Sequence, residues 1–175
     1  LRETLCTHRQ NMTTLLTMDL SKIDIVEKEE RCLITVDIDK HTSFEQEVEM
    51  ITAETLKYQL GRLHQASYGS MISVASLQNG DYEDYSRLFI EIPFLTPKEG
   101  LHTQPAGKYI RAFHKGGWDK IPLRYRAIMD FAAEQGLTLS GYAYEMGINE
   151  NVVDRIEDYI VQIEIPVLAQ RFPLC

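Results

Sequence analysis

Cysteine is scarce in this 175-residue chain, and the three present, Cys6, Cys32 and Cys175, lie far apart with no C-x-x-C pair. Neither a disulfide framework nor a zinc site is indicated, and a reducing cytoplasm suits such a chain. No apolar run approaches the ~18 to 20 residues that cross a bilayer, and the start lacks the basic-then-apolar order of a signal peptide. Basic residues are outnumbered, 18 Lys and Arg against 26 Asp and Glu, for a net charge of −8. That sign is wrong for a surface that neutralises many phosphates, so nucleic acid is not an expected direct partner of these residues. Common catalytic signatures are missing too: there is no G-x-S-x-G, no phosphate-binding loop, no H-E-x-x-H and no G-x-G-x-x-G. The five histidines fall in different segments without ligand spacing, so no metal site is expected.

What is present is an ordinary globular composition, 44% hydrophobic and 25% charged, in a length that suits one domain. The chain begins at Leu1 rather than methionine, and Leu1, Leu5, Met12 and Leu16 recur at helical intervals. Residues 1–20 therefore read as the end of an amphipathic helix, either packed on its own domain or continuing from an upstream one. Ile23 and Ile25, then residues 32–38, are rich in branched side chains and predict two short strands. Thr42 and Ser43 with Glu45 and Gln46 make capping-box signals, and Phe44, Val48, Ile51 and Thr55 follow on one helical face, predicting a helix to about Gly61. Residues 71–77 predict a strand, Asn79-Gly80-Asp81 a hairpin turn, and residues 85–95 its partner. Pro93, Pro97 and Gly100 then mark a linker.

The second half repeats that order. Residues 108–114 predict a strand, Gly116-Gly117 a turn, and a helix opens near Asp119 with Pro122 in its first turn, carries Ile121, Tyr125, Ile128 and Ala132 on one face, and stops at Gly136. Residues 139–145 and 159–167 predict two more strands. Ile90-Glu91-Ile92-Pro93 recurs 73 residues later as Ile163-Glu164-Ile165-Pro166, and Gly141 follows Gly69 at the similar offset of 72. These observations predict an α+β fold in which two βαββ units, about 21–97 and 101–168, form one antiparallel-rich sheet with both helices on one face, preceded by the N-terminal helix. A pocket is expected between the copies.

Three side chains are candidates for that pocket. Glu145 ends an apolar, aromatic run, so it is either a strand-end carboxylate in water or a pocket carboxylate awaiting a cation, because burial without a partner costs several kcal/mol. Trp118, the only tryptophan, is either a core anchor or a pocket wall. Tyr159 either stacks on a ligand or caps the core. Cys32, in an apolar strand, reads as an inert thiol.

Gly107-Lys108-Tyr109, His114, Gly117-Trp118, Tyr125, Gly136-Leu137, Gly141-Tyr142-Ala143-Tyr144-Glu145, Glu157-Asp158-Tyr159 and Ile163-Glu164-Ile165-Pro166 together resemble the effector-binding domain of the GyrI-like class, especially the C-terminal sensor of multidrug-responsive MerR-type transcription regulators. Ser67-Tyr68-Gly69 and Ile92-Pro93 extend the resemblance over roughly residues 22–168. It implies a pocket for lipophilic, often cationic small molecules between aromatic rings and a buried glutamate. By position that glutamate is Glu145, faced by Tyr159, and the expected ligand-binding set is Glu145, Tyr159, Trp118, Tyr68 and Ala143, with no catalytic residue, metal or cofactor. Some multidrug members carry an aromatic residue where this chain has Ile121, a place that Trp118, one turn earlier, would fill. The resemblance further implies that residues 1–20 end a dimerisation helix, that residues 21–175 form the sensor of a cytoplasmic homodimer, and that DNA is read only by a missing N-terminal domain. Two other readings stand beside it: a GyrI-like hydrolase with Glu145 as general base, and a protein-interaction module.

Overall fold

The branched run Arg31–Asp37 buries Leu33 and Ile34 completely on opposite faces, the mark of a strand covered from both sides. The computed structural model describes residues 19–58, 67–92, 99–149 and 153–168. Within them lie β1 (Ile23–Lys28), β2 (Arg31–Asp37), α1 (Phe44–Lys57), β3 (Ser67–Ser73), α2 (Val74–Gln78), β4 (Tyr85–Glu91), β5 (His102–Gln104), β6 (Gly107–Lys115), α3 (Ile121–Glu134), β7 (Tyr142–Gly147) and β8 (Ile160–Pro166). No described helix is long and apolar enough to cross a membrane. The expected helix at residues 1–20 falls almost wholly outside the described residues, as do Pro93 and Pro97 of the expected linker.

All eight strands form one antiparallel sheet in the order β1-β6-β8-β7-β3-β4-β2-β5. The order is symmetric about the β7–β3 pair, so each half of the chain supplies the counterpart of the other. The two expected βαββ units are present as β2-α1-β3-β4 and β6-α3-β7-β8, and each is preceded by a further strand that is exchanged: β1 pairs with β6 of the second unit, and β5 pairs with β2 of the first. Of the Ile-Glu-Ile-Pro recurrence, Ile90 and Glu91 end β4 and Ile163-Glu164-Ile165-Pro166 ends the equivalent β8, whereas Gly69 lies inside β3 and Gly141 precedes β7.

The exchange bends the sheet. Only Glu29 and Glu30 separate β1 from β2, three Cα steps or at most about 11 Å, although six strand spacings, about 29 Å in a flat sheet, lie between them in the order. Both ends of the sheet must therefore curl together. Leu33, Met71, Phe89, Tyr109 and Tyr144 form a cluster inside that curl. Lys28 and Glu164 pair there, nearly excluded from water.

Both helices cover the opposite face. Ser43 and Gln46 close the predicted capping box at the start of α1, whose Ile51 packs on Ile34, Val36, Ile90 and Ile92. Helix α3 lays Ile121, Tyr125, Ile128 and Ala132 on Ile72, Ile110, Ala112, Ala143, Val161 and Ile163, and Gly136 at φ +63° follows its end. The expected strand over 71–77 is only partly one. At Ser73 the chain leaves β3, the serine Oγ accepts from the Ser76 N–H at 3.0 Å, and α2 follows. Val74 and Leu77, three apart, suit a buried helical turn as well as a strand.

Gly69 is needed where β3 meets its neighbours, because a Cβ there would lie 2.2 Å from the Glu145 carbonyl oxygen and 2.3 Å from the Phe89 ring. Gly69→Ala should therefore destabilise the protein by about 1–3 kcal/mol through overpacking against backbone. Urea denaturation checks this; an unchanged midpoint would mean that β3 has room to move.

Candidate functional site

The four central strands and the two helices leave a cavity of about 660 Å³ on the helix-covered face, within the range of small-molecule sites. Phe44, Val48, Ile51 and Thr52 of α1 form one wall, and Trp118 and Ile121 at the entry to α3 form the other. Tyr68, Ser70, Tyr85, Glu145 and Val161 come from the strands below, with Tyr159 just before β8. Phe44, Tyr68 and Trp118 are 74%, 51% and 61% exposed, so large apolar groups that would normally be covered are left open to this space.

Glu145 is 6% exposed, in water-excluded surroundings. The Tyr125 hydroxyl donates to its Oε1 at 2.5 Å, and the Tyr85 hydroxyl donates to Oε1 at 2.9 Å and Oε2 at 3.1 Å. Desolvation raises the carboxyl pKa above its ordinary value, and the two phenol hydrogen bonds only partly oppose this. Burial, followed by the facing carboxylate, pushes the pKa of both phenols up, so they stay protonated and act as donors. Two donors against about four lone-pair positions leave the carboxylate with acceptor capacity for a ligand.

Each partner is positioned by the fold. Tyr125 is fixed in the core face of α3 and stacked on Tyr82 at 6.1 Å. Tyr85 reaches Glu145 because the β3–β4 register shifts between Met71 and Ile72, which sets Tyr85 opposite Ile72. Tyr159 meets Trp118 edge to face at 5.9 Å, and its hydroxyl lies over Gly147, where a Cβ would come within 2.1 Å. His114 Nε2 lies 2.9 Å from the Gly117 carbonyl, bracing the loop that carries Trp118.

Of the five residues expected at the site, Glu145, Tyr159, Trp118 and Tyr68 line this one cavity. Ala143 does not. It shares a strand face with Glu145, but α3 packs over it, and it is fully buried opposite Ile72. Ile121 and Trp118 both reach the cavity, so the tryptophan adds to the isoleucine at the α3 entry. Tyr68 pairs with Ile90 on β4 as Glu145 pairs with Ile163 on β8, so the repeat places a tyrosine and the glutamate at equivalent positions. Sequence reasoning missed the role of Tyr85 and Tyr125, although a phenol on the apolar face of α3 was a sign that a buried acceptor had to be near.

A raised folded-state pKa means that the native protein holds the Glu145 proton more tightly than the unfolded chain. Stability from this group is therefore present at pH below the unfolded pKa, falls as pH climbs to the folded value, and stays lost above it. Glu145→Gln keeps an acceptor for the phenols without the charge. It should raise the thermal midpoint at pH 8, with the gain shrinking as pH falls toward 4. A gain independent of pH would show that charge burial is not its source.

No protein-family model matches the chain, and no curated protein matches it. Solved structures do. EcmrR in complex with DNA superposes with a TM-score of 0.62 at 18% identity over 95% of this chain, which spans 64% of the length of that one. The isolated EcmrR C-terminal domain gives 0.62 at 17% identity, covering 86% of this chain and 99% of that domain. A hydrolase from Listeria innocua gives 0.60 at 11% identity, covering 91% and 98%. SAV2435 bound to tetraphenylphosphonium gives 0.50 at 14% identity, covering 85% and 94%. At these identities the likeness establishes the architecture, and the chain has the GyrI-like fold that its sequence resembles.

Proposed function

We propose that this chain is the ligand-sensing part of a MerR-type transcription regulator and binds lipophilic cations between α1 and the entry to α3. The observation that carries the reading is a buried carboxylate, Glu145, on a cavity walled by exposed Phe44, Val48, Tyr68 and Trp118. Apolar rings supply non-directional burial, and the carboxylate selects positive charge. The tetraphenylphosphonium complex of SAV2435, a protein of like fold, supports this class of ligand. In this reading residues 1–20 end a linker helix, residues 21–175 are the sensor, the regulator is a cytoplasmic homodimer, and DNA is contacted outside this chain, in keeping with its net charge of −8. EcmrR, solved in complex with DNA, has about a third of its length outside the part that this chain matches, which supports that division of labour.

Binding tetraphenylphosphonium should lower the Glu145 pKa and release protons, so affinity should rise with pH through the raised pKa and then level off. Calorimetry in two buffers of different ionisation enthalpy measures that release. Glu145→Gln should weaken the cation by about 1.5–3 kcal/mol and leave a neutral isostere nearly unchanged. Quenching of Trp118, the only tryptophan, reports occupancy independently. Equal losses for both ligands, or no binding by any member of a broad dye panel, would remove the proposal.

The raised pKa of Glu145 also favours a second reading, in which it serves as general base of a small-molecule hydrolase. Turnover of an electrophile panel that disappears in Glu145→Gln would favour that reading over a sensor.

A further inference from the structure

On α1 the residues that face the cavity are Phe44, Glu47, Val48, Ile51 and Thr52, a stripe at helical spacing with one charged member. Glu47 is half-buried, and its side chain makes no ion pair or hydrogen bond among the described residues. Glu45, on the same first turn but off the stripe, is already available to oppose the helix dipole, and the capping box satisfies the leading N–H groups. Local helix chemistry therefore leaves Glu47 without a task that needs its place in an apolar wall.

Glu47 and Glu145 are the charged side chains lining the cavity among the described residues, one from each repeat. They differ in setting: Glu145 is deep, enclosed and held by two phenols, whereas Glu47 is nearer water and unheld. We infer that Glu47 is a second cation subsite, and that the cavity prefers elongated lipophilic dications, one cationic centre at Glu145 and the other at Glu47, joined by an aromatic or alkyl spacer along the Phe44–Trp118 walls. The inference rests on the cation-binding reading of the cavity and names the ligand class within it. A partly hydrated charge pair is screened by salt, so the preference is strongest at low ionic strength.

The test uses an aryl bis-amidine and the same scaffold with one amidinium replaced by a neutral amide, with tetraphenylphosphonium as a compact monocation. The unmodified chain should bind the bis-amidine about three- to fivefold more tightly than its mono-amidine partner at low salt, the scale of one partly exposed ion pair. Glu47→Gln should erase that difference while changing tetraphenylphosphonium affinity by less than about twofold. Glu47→Lys, which reverses the charge on that wall of the cavity, should place the bis-amidine below the mono-amidine. Thermal midpoints confirm that the variants are folded. If Glu47→Gln weakens all three probes equally or none of them, or if the unmodified chain shows no bis-amidine advantage, Glu47 is not a subsite. Failure of the underlying reading looks different: tetraphenylphosphonium binding would then be absent from the unmodified chain or unmoved by Glu145→Gln.

Discussion

Burying a carboxylate is the constraint around which this molecule is arranged. An ionised glutamate removed from water costs several kcal/mol unless donors replace its hydration, and here the replacements come from two distant parts of the chain. Tyr125 arrives on the packed face of α3, and Tyr85 arrives at the start of β4 only because the strand register slips beside it. Helix placement and the slip between β3 and β4 serve the same oxygen atoms. The phenols compensate only in part, and burial leaves the carboxyl pKa raised; in the function proposed above, the remaining demand for positive charge is what gives the cavity its selectivity.

A symmetric frame carries an asymmetric lining. Tyr68 and Glu145 occupy corresponding positions of the two units, yet one offers a ring to solvent and the other a charge to the interior. The helices diverge in the same way. Helix α3 buries Ile121, Tyr125, Ile128 and Ala132, whereas α1 buries only Ile51 and Thr55 and leaves Phe44 and Val48 open. One unit packs its apolar helix face closely, and part of the other's forms a wall of the cavity.

The sequence displays most of the elements because their punctuation is chemical and local. Ser43 with Gln46 announces α1, and Pro122 and Gly136 bracket α3, each through a backbone requirement that no distant residue alters. The run 71–77 is ambiguous, since apolar residues three apart in a short segment satisfy a strand and a helical turn alike. Strand exchange left no trace in the pattern, because alternation tells which face a residue takes and not which strand lies beside it. At the site, alternation puts Ala143 and Glu145 on one face, but the length of α3 decides which is covered. Phe44 and Val48 have the spacing of core residues, yet both are exposed on the cavity, a matter of tertiary geometry.

The reciprocal exchange of β1 and β5 also sets how the chain can come together. Neither half can complete its own sheet region, since each lacks an outer strand until the other has formed. The pairing of β1 with β6 joins residues 79 to 89 positions apart, so loop-closure entropy is spent before the contact is made, which disfavours folding half by half. Cutting the polypeptide between β4 and β5 would thus yield complementary fragments that assemble with each other, not two autonomous modules.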